Sequence, residues 1–385
     1  MKFSFTHHMQ YDFAENSGND WPVPNRLFDP DLGVPNYREH TDQKIFAEEC
    51  GFDWVACNEH HMSPYGLMPN PSLIGAIVAH QTKRVGVLQS GSILPLNNPI
   101  RVAEEYAMID VLSGGRLVAG FMRGIPHEYV AYNIDPGESY GRMYESIDLI
   151  KKCWTEPEPF GWEGEFYQFR AVSIWPKPVQ KMPVIVMSGD SDLSLQLCAA
   201  HRAVLGILRL PSIDFARAKA ADYRDLAAKH GWTPGPEHLM IAQHCVIAET
   251  DAEARTLLAE GLRYFNTVLM GGQRTAQALV LQKTRYLRSQ EQVDKRQNRL
   301  KAAQEMSLDE RIERGLVICG SPDTAVKQIS ELQKQLGHGV LNLTCKIGNI
   351  PNAAVRRTMM YLRDEVFPKT RHLGVSTTAK RVAAA

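Results

Sequence analysis

Three side chains able to hold a proton or an ion stand in a row at Glu59, His60 and His61, directly after the apolar run 52–57. Imidazole changes charge near neutrality and also ligates metals; a carboxylate accepts hydrogen bonds or binds hard ions. The row admits three chemistries: a zinc or iron centre, a general acid/base, or a hydrogen-bonded corner closing a strand. Spacing disfavours the metal. Neighbouring residues at a strand end point to opposite sides and rarely share one ion. The helical H-E-x-x-H spacing is absent, and the cysteines at 50, 57, 153, 198, 245, 319 and 345 make no C-x-x-C pair. No metal is expected. In the remaining readings Glu59 fixes a histidine tautomer or neutralises a buried charge, and His61 packs.

Other stretches offer different chemistry. Ser188, Gly189, Asp190 and Ser191 follow an apolar run and precede a helical pattern. Small residues there let backbone N–H groups face an anion at a helix N-terminus. Arg123 could supply a bidentate cation for a phosphate. An ordinary N-cap explains the same letters, and Asp190 and Asp192 repel phosphate unless they turn away to cap the helix. In "LQSGSILP", 88–95, Ser90 and Gly91 permit a flat ligand to approach the backbone, or form a plain turn. His8, Met122, His127 and Glu128 are candidates for a neighbouring substrate pocket.

These residues need elements to carry them. Apolar runs at 2–6, 52–57, 85–89, 117–121, 183–187, 203–208, 240–247 and 340–346 read as strands. Helical patterns cover 37–50, 71–80, 99–112, 139–154, 191–201, 213–230, 251–265 and 322–336. Nearly unbroken apolar strands indicate a parallel sheet buried on both faces. Eight such strands alternating with helices match a (β/α)8 TIM barrel, although an open doubly wound sheet gives the same alternation. In a barrel the strand C-termini gather His8, Glu59, His60, Ser90, Arg123 and Ser188 around one mouth. Asn70-Pro71, Asn98-Pro99 and Ser321-Pro322 read as helix starts. One domain over 1–385 is expected, with insertions at 12–36, 155–182 and 271–314, the last a possible lid.

Composition narrows the class. Lys+Arg and Asp+Glu both number 43 in 385 residues, so no charge excess points to nucleic acid or a membrane surface. With 44% hydrophobic residues a large core can be built. No window approaches the roughly 18 unbroken apolar residues of a membrane helix. The N-terminus lacks a signal-peptide core, and an odd number of unpaired cysteines fits a reducing cytoplasm.

The runs "EHHMSPYGLMPNPSLIGA" and "ILPLNNPIRVAEEYAMIDVLSGGRLVAGFMRG" resemble those of the bacterial luciferase-like flavin-dependent monooxygenases, as does "GSPDTAVKQISEL" near the C-terminus. The resemblance implies a (β/α)8 barrel, and its motifs stand in the family's order between residues 52 and 124. It implies reduced FMN supplied by a partner flavin reductase, O2 as co-substrate, and a C4a-peroxyflavin that oxygenates an aldehyde, ketone or other small molecule. It implies a catalytic role for His60, phosphate binding by Arg123, Ser188, Gly189, Asp190 and Ser191, and a non-prolyl cis peptide at Ser90-Gly91 beneath the flavin ring. A homodimer is also implied. The two aspartates in the phosphate loop and Met122 before the arginine depart from the family pattern, and Met122 argues against light emission. Hydride transfer with a deazaflavin and non-catalytic flavin binding are the alternatives.

Overall fold

The computed structural model describes residues 1–189, 191–285, 287 and 289–375. Its strands are β1 (Lys2–Thr6), β2 (Trp54–Cys57), β3 (Gly86–Ile93), β4 (Leu117–Met122), β5 (Phe160–Glu163), β6 (Gln168–Val172), β7 (Val184–Ser188), β8 (Val204–Ile207), β9 (Leu239–Ile247), β10 (Val317–Gly320) and β11 (Val340–Thr344). Eight close a parallel ring in the order β1-β2-β3-β4-β7-β8-β9-β11, with β11 returning to β1. This is the expected (β/α)8 barrel. β10 lies outside the ring along the end of β9, pairing Val317 with His244. β5 and β6 form an antiparallel hairpin apart from the ring.

The helices are α1 (Pro30–Glu49), α2 (Pro71–Gln81), α3 (Pro99–Ser113), α4 (Pro126–Ala131), α5 (Ser139–Thr155), α6 (Asp192–Ala200), α7 (Ile213–Lys229), α8 (Asp251–Tyr264), α9 (Gly271–Lys283), α10 (Gln290–Glu305), α11 (Leu308–Glu313), α12 (Pro322–Leu336) and α13 (Asn352–Tyr361). Asn70 and Asn98 cap α2 and α3, accepting from Ser72 N at 2.9 Å and Ile100 N at 3.0 Å. Ser321 precedes α12 without capping it; its N–H instead donates to Asp251 at 2.6 Å. No helix among the described residues is long and apolar enough to cross a membrane.

Strand alternation makes two cores. Trp54, Ala56, Leu88, Val118, Val186, Val204, Met240 and Val340 form a cluster drawn wholly from ring strands, which fills the barrel interior. The alternate positions, such as Val55, Val87 and Leu341, join the helices in a larger cluster. Toward the strand C-termini the inward positions become small or polar: Asn58, Gly120, Ser188, Gly206, His244 and Thr344. The interior is therefore apolar below and open to chemistry above.

One irregularity shapes that upper end. The β3–β4 register slips between Gln89 and Ser92, and the Ser90–Gly91 peptide is cis. Side chains do not fit there. A Cβ on Gly120 would lie 1.8 Å from Gln89 O, and one on Gly91 would lie 2.5 Å from Gly120 O. Tyr106 pins the bulge, donating to Gly120 O at 2.7 Å and accepting from Ser92 N at 3.1 Å.

The insertions carry more structure than their composition suggests. The loop expected over 12–36 becomes helix at Pro30, and 271–314 forms α9, α10 and α11. Glycine permits α9 to dock. Cβ atoms on Gly271 and Gly272 would meet Asn19 Oδ1 at 2.3 Å and Asp20 O at 2.2 Å.

Candidate active site

Each histidine of the opening row has its own carboxylate. His60 Nδ1 donates to Glu128 Oε1 at 2.9 Å. Glu128 is fully buried, and its other oxygen accepts from Ile125 N at 2.9 Å at the start of α4. Gly124 makes this approach possible: φ is +84°, and a Cβ would sit 3.2 Å from Glu128 Oε2. Because a carboxylate only accepts, His60 carries its proton on Nδ1 when neutral, and Nε2 keeps the lone pair. Glu59 serves His61 instead. It accepts from His61 Nε2 at 2.9 Å, from Ile93 N at 2.8 Å and from Asn97 Nδ2 at 3.3 Å. Tyr132 donates to the remaining nitrogen of His61 at 3.2 Å. Glu59 and His61 thus form a buried corner, while His60 is half-buried.

Aromatic rings extend from His60 across the mouth. Tyr65 stands edge-on to His60 at 4.7 Å and stacks on His8 at 4.5 Å. Phe265 lies 5.7 Å from Tyr65 and 6.0 Å from His244. Asn58 Nδ2 donates to His8 Nδ1 at 2.6 Å, so His8 Nε2–H faces the Tyr65 oxygen at 3.2 Å. Burial, then the neighbouring His60 and His244, holds His8 well below the ordinary histidine range. It is neutral at pH 7.

The second group of predicted residues meets at the end of β4. The Arg123 guanidinium lies 4.2 Å from the Tyr140 ring centroid and donates to Ser139 Oγ at 3.4 Å. Tyr140 Oη is 2.7 Å from Ser191 Oγ. Ser191 caps α6, accepting from Ser194 N at 3.2 Å. Arg123, Tyr140, Ser191 and the first turn of α6 therefore form one contiguous polar cradle. Asp192 points out of it toward Lys219, at 3.3 Å. Gly189 N donates to Gly206 O at 3.3 Å, tying the loop after β7 to β8. Asp190 lies outside the described residues.

This arrangement fits a phosphorylated flat ring. The cradle offers a guanidinium and a helix N-terminus for a dianion. The Ser90–Gly91 bulge offers bare backbone to a ring face. Ser4 Oγ, Asn58 Oδ1 and Asn342 Oδ1 are buried without hydrogen-bond partners among the described residues, as polar interior atoms awaiting a ligand would be.

Three residues expected in a substrate pocket are buried against other side chains. Glu59 is behind His61, and Glu128 is behind His60. His127 is fully buried, edge-on to Trp21 at 5.3 Å, with neither ring nitrogen partnered among the described residues. Burial lowers it to about 4. The loop through Trp21 covers α4 at that point. Met122 is buried in register with Ile93. Tyr65, Tyr140, His244 and Phe265 are site residues that sequence reasoning missed. Tyr65 and Phe265 lie outside the predicted strand ends, and Tyr140 lies inside a predicted helix; His244 alternates inward on a predicted strand and could have been found by its parity.

The luciferase-like monooxygenase family matches residues 18–339 of the chain. The 4-hydroxyprotoasukamycin monooxygenase of Streptomyces nodosus subsp. asukaensis is 27% identical over 230 residues, 57% of this chain and 62% of that protein. The oxygenase component of the flavin-dependent trigonelline monooxygenase of Acinetobacter baylyi is 26% identical over 246 residues, 63% of this chain and 68% of that protein. The matched stretches thus span about two thirds of these relatives' length. The crystal structure of monooxygenase RslO1 from Streptomyces bottropensis shares the fold with a TM-score of 0.73 at 24% identity, over 96% of this chain and 99% of that one. With residues 18–339 inside the family's match, the chain belongs to the luciferase-like monooxygenase family.

Proposed function

We propose that the protein is the oxygenase of a two-component monooxygenase, taking reduced FMN from a separate flavin reductase. Reduced FMN supplies two electrons, so that one atom of O2 enters a small organic substrate and the other leaves as water. The observation that carries this reading is His60, with Nδ1 held by buried Glu128 and Nε2 uncommitted among the described residues, at the same mouth as the Arg123–Tyr140–Ser191 cradle. The name of the trigonelline relative, an oxygenase component, supports the two-component arrangement.

Arg123, Ser191 and the α6 N-terminus hold the phosphate, with Ser188 and Gly189 lining the loop beneath it. The Ser90–Gly91 backbone supports the ring. His60 Nε2 takes or returns one proton at the reacting edge, and the Glu128 carboxylate stabilises the imidazolium that results. His8, neutral and fixed by Asn58, orients Tyr65. α9 to α11 act as a lid that keeps water from the mouth.

The test loads the protein anaerobically with reduced FMN and then mixes it with O2. An oxygen-dependent transient absorbance that persists in the wild type and collapses faster in His60→Ala is expected. Oxidation of the bound flavin at the rate of free FMN, in wild type and variant alike, would count against the proposal. Substrate-driven hydride transfer to a deazaflavin without oxygen consumption would replace it.

A further inference from the structure

A panel of half-buried rings lines the mouth above β9, β11, β1 and β2, which are consecutive in the ring. His244 sits near the end of β9, His8 follows β1, His60 and Tyr65 follow β2, and Phe265 follows α8. Ring contacts join them in series. Centroids lie 4.7 Å apart from His60 to Tyr65, 4.5 Å from Tyr65 to His8 and 5.7 Å from Tyr65 to Phe265. Phe265 in turn lies 6.3 Å from His8 and 6.0 Å from His244. Tyr65 and Phe265 also back onto a buried cluster that includes Tyr11 and Tyr264, which fixes their rings. Each ring of the panel nonetheless keeps part of its surface uncovered. The cradle for a phosphate stands at β4 and β7, so the β3 bulge separates it from this panel.

The panel carries unpaired polar atoms. His244 hydrogen-bonds to no side chain or backbone group among the described residues. Burial, then the charges of Arg311 and Arg209, lowers it to about 4, so it is neutral at pH 7. A neutral imidazole presents one donor and one acceptor. Thr344 stands in register beside His244, and Asn342 lies one inward position below Thr344 in register with Ser4. Ser4 Oγ and Asn342 Oδ1 are buried without partners among the described residues. An aliphatic ligand would cover the rings and leave these atoms unsatisfied. A flat ring gains offset-stacked or edge contacts with Phe265 and Tyr65 that a puckered chain does not. A hydroxyl matches His244 better than a carbonyl, because it can both donate and accept.

We infer that this side of the mouth is the substrate seat and that the substrate is a phenol, its ring packed against Phe265 and Tyr65 and its hydroxyl hydrogen-bonded to His244. This assignment rests on the oxygenase reading and narrows its substrate class from small organic molecules to hydroxylated aromatics.

The experiment is titration calorimetry on FMN-loaded protein. The probes are 4-ethylphenol and 2-naphthol, each beside its ring-saturated alcohol and its hydroxyl-free parent arene. At least one phenol is expected to bind about fivefold more tightly than its saturated alcohol. Phe265→Leu keeps an apolar side chain and should cut that preference about threefold. His244→Leu should weaken the phenol about fivefold and leave the parent arene within about twofold. FMN affinity should stay within about twofold in both variants. Either variant alone decides the case if the other fails to fold. Equal binding of phenol and saturated alcohol, or no phenol binding, overturns the inference and leaves the oxygenase reading intact. So does a His244→Leu variant that weakens phenol and parent arene alike, because the imidazole then only fills space. Failure of the wild type to bind FMN removes the oxygenase reading, and this inference with it.

Discussion

A histidine that moves one proton needs one nitrogen held and the other open. Glu128 holds His60 in that state, and it arrives from 68 residues away in the chain. Two substitutions separate the proton from its support. His60→Ala should cut product formed per O2 by about 100-fold, within the range ascribed to general acid–base groups, with FMN affinity nearly unchanged. Glu128→Gln keeps an acceptor for Nδ1 but removes the charge, so a loss of about tenfold is expected. The readout is hydrogen peroxide released against O2 consumed. Coupling in Glu128→Gln equal to wild type would sink the assigned role. The expectation placed on His60 came from a local motif shared with the family. The partner of His60 was not legible, because Glu128 reads as one more helical residue until β4, Gly124 and α4 fold it back. The same limit hid the link from Tyr140 to Ser191, 51 residues apart.

At the scale of elements, the ring strands were readable because burial on both faces leaves each an apolar run of almost fixed length. β10 escaped notice because four residues between polar helices resemble a loop. The polar segment 271–314 reads only as an insertion although it forms α9, α10 and α11, since exposed helices need no apolar stripe as wide as a core helix. The element that most constrains the site is the β3 bulge against β4. Gly120→Ala places a methyl group 1.8 Å from a backbone oxygen, which no rotamer change relieves. A loss of about 2–4 kcal/mol is expected, read as a lower urea midpoint, together with weaker FMN binding as the bulge shifts. A variant with unchanged midpoint and FMN affinity would show the bulge to be dispensable. The cradle makes a separate prediction. Arg123→Ala should raise the FMN Kd about 10- to 100-fold and Tyr140→Phe only a few-fold, because the phenol positions Ser191 and carries no formal charge. Fluorescence quenching of FMN measures both, and reversal of that order would move the phosphate site away from β4.

Across the whole molecule, several histidines are buried in the neutral form, and this ties stability to pH. Burial lowers His40, His127 and His244 to about 4 and His338 to about 3. Unfolded, each returns toward 6.5, so between 6.5 and about 4 the unfolded chain binds more protons than the folded one. Stability must therefore fall as pH drops through that window and level off above it. His127 isolates one share of the effect. Its ring nitrogens have no partners among the described residues, and its edge contact with Trp21 survives in a phenyl ring. His127→Phe should leave stability at pH 8 within about 1 kcal/mol, since the swap is near-isosteric. At pH 4.5 it should be more stable than wild type by about 1–2 kcal/mol, because the unfolded variant no longer gains a proton there. Urea titrations at the two pH values measure the difference. Parallel loss of stability in both proteins between pH 8 and 4.5 would mean that His127 is already protonated in the folded state, and that some partner for it lies beside Trp21.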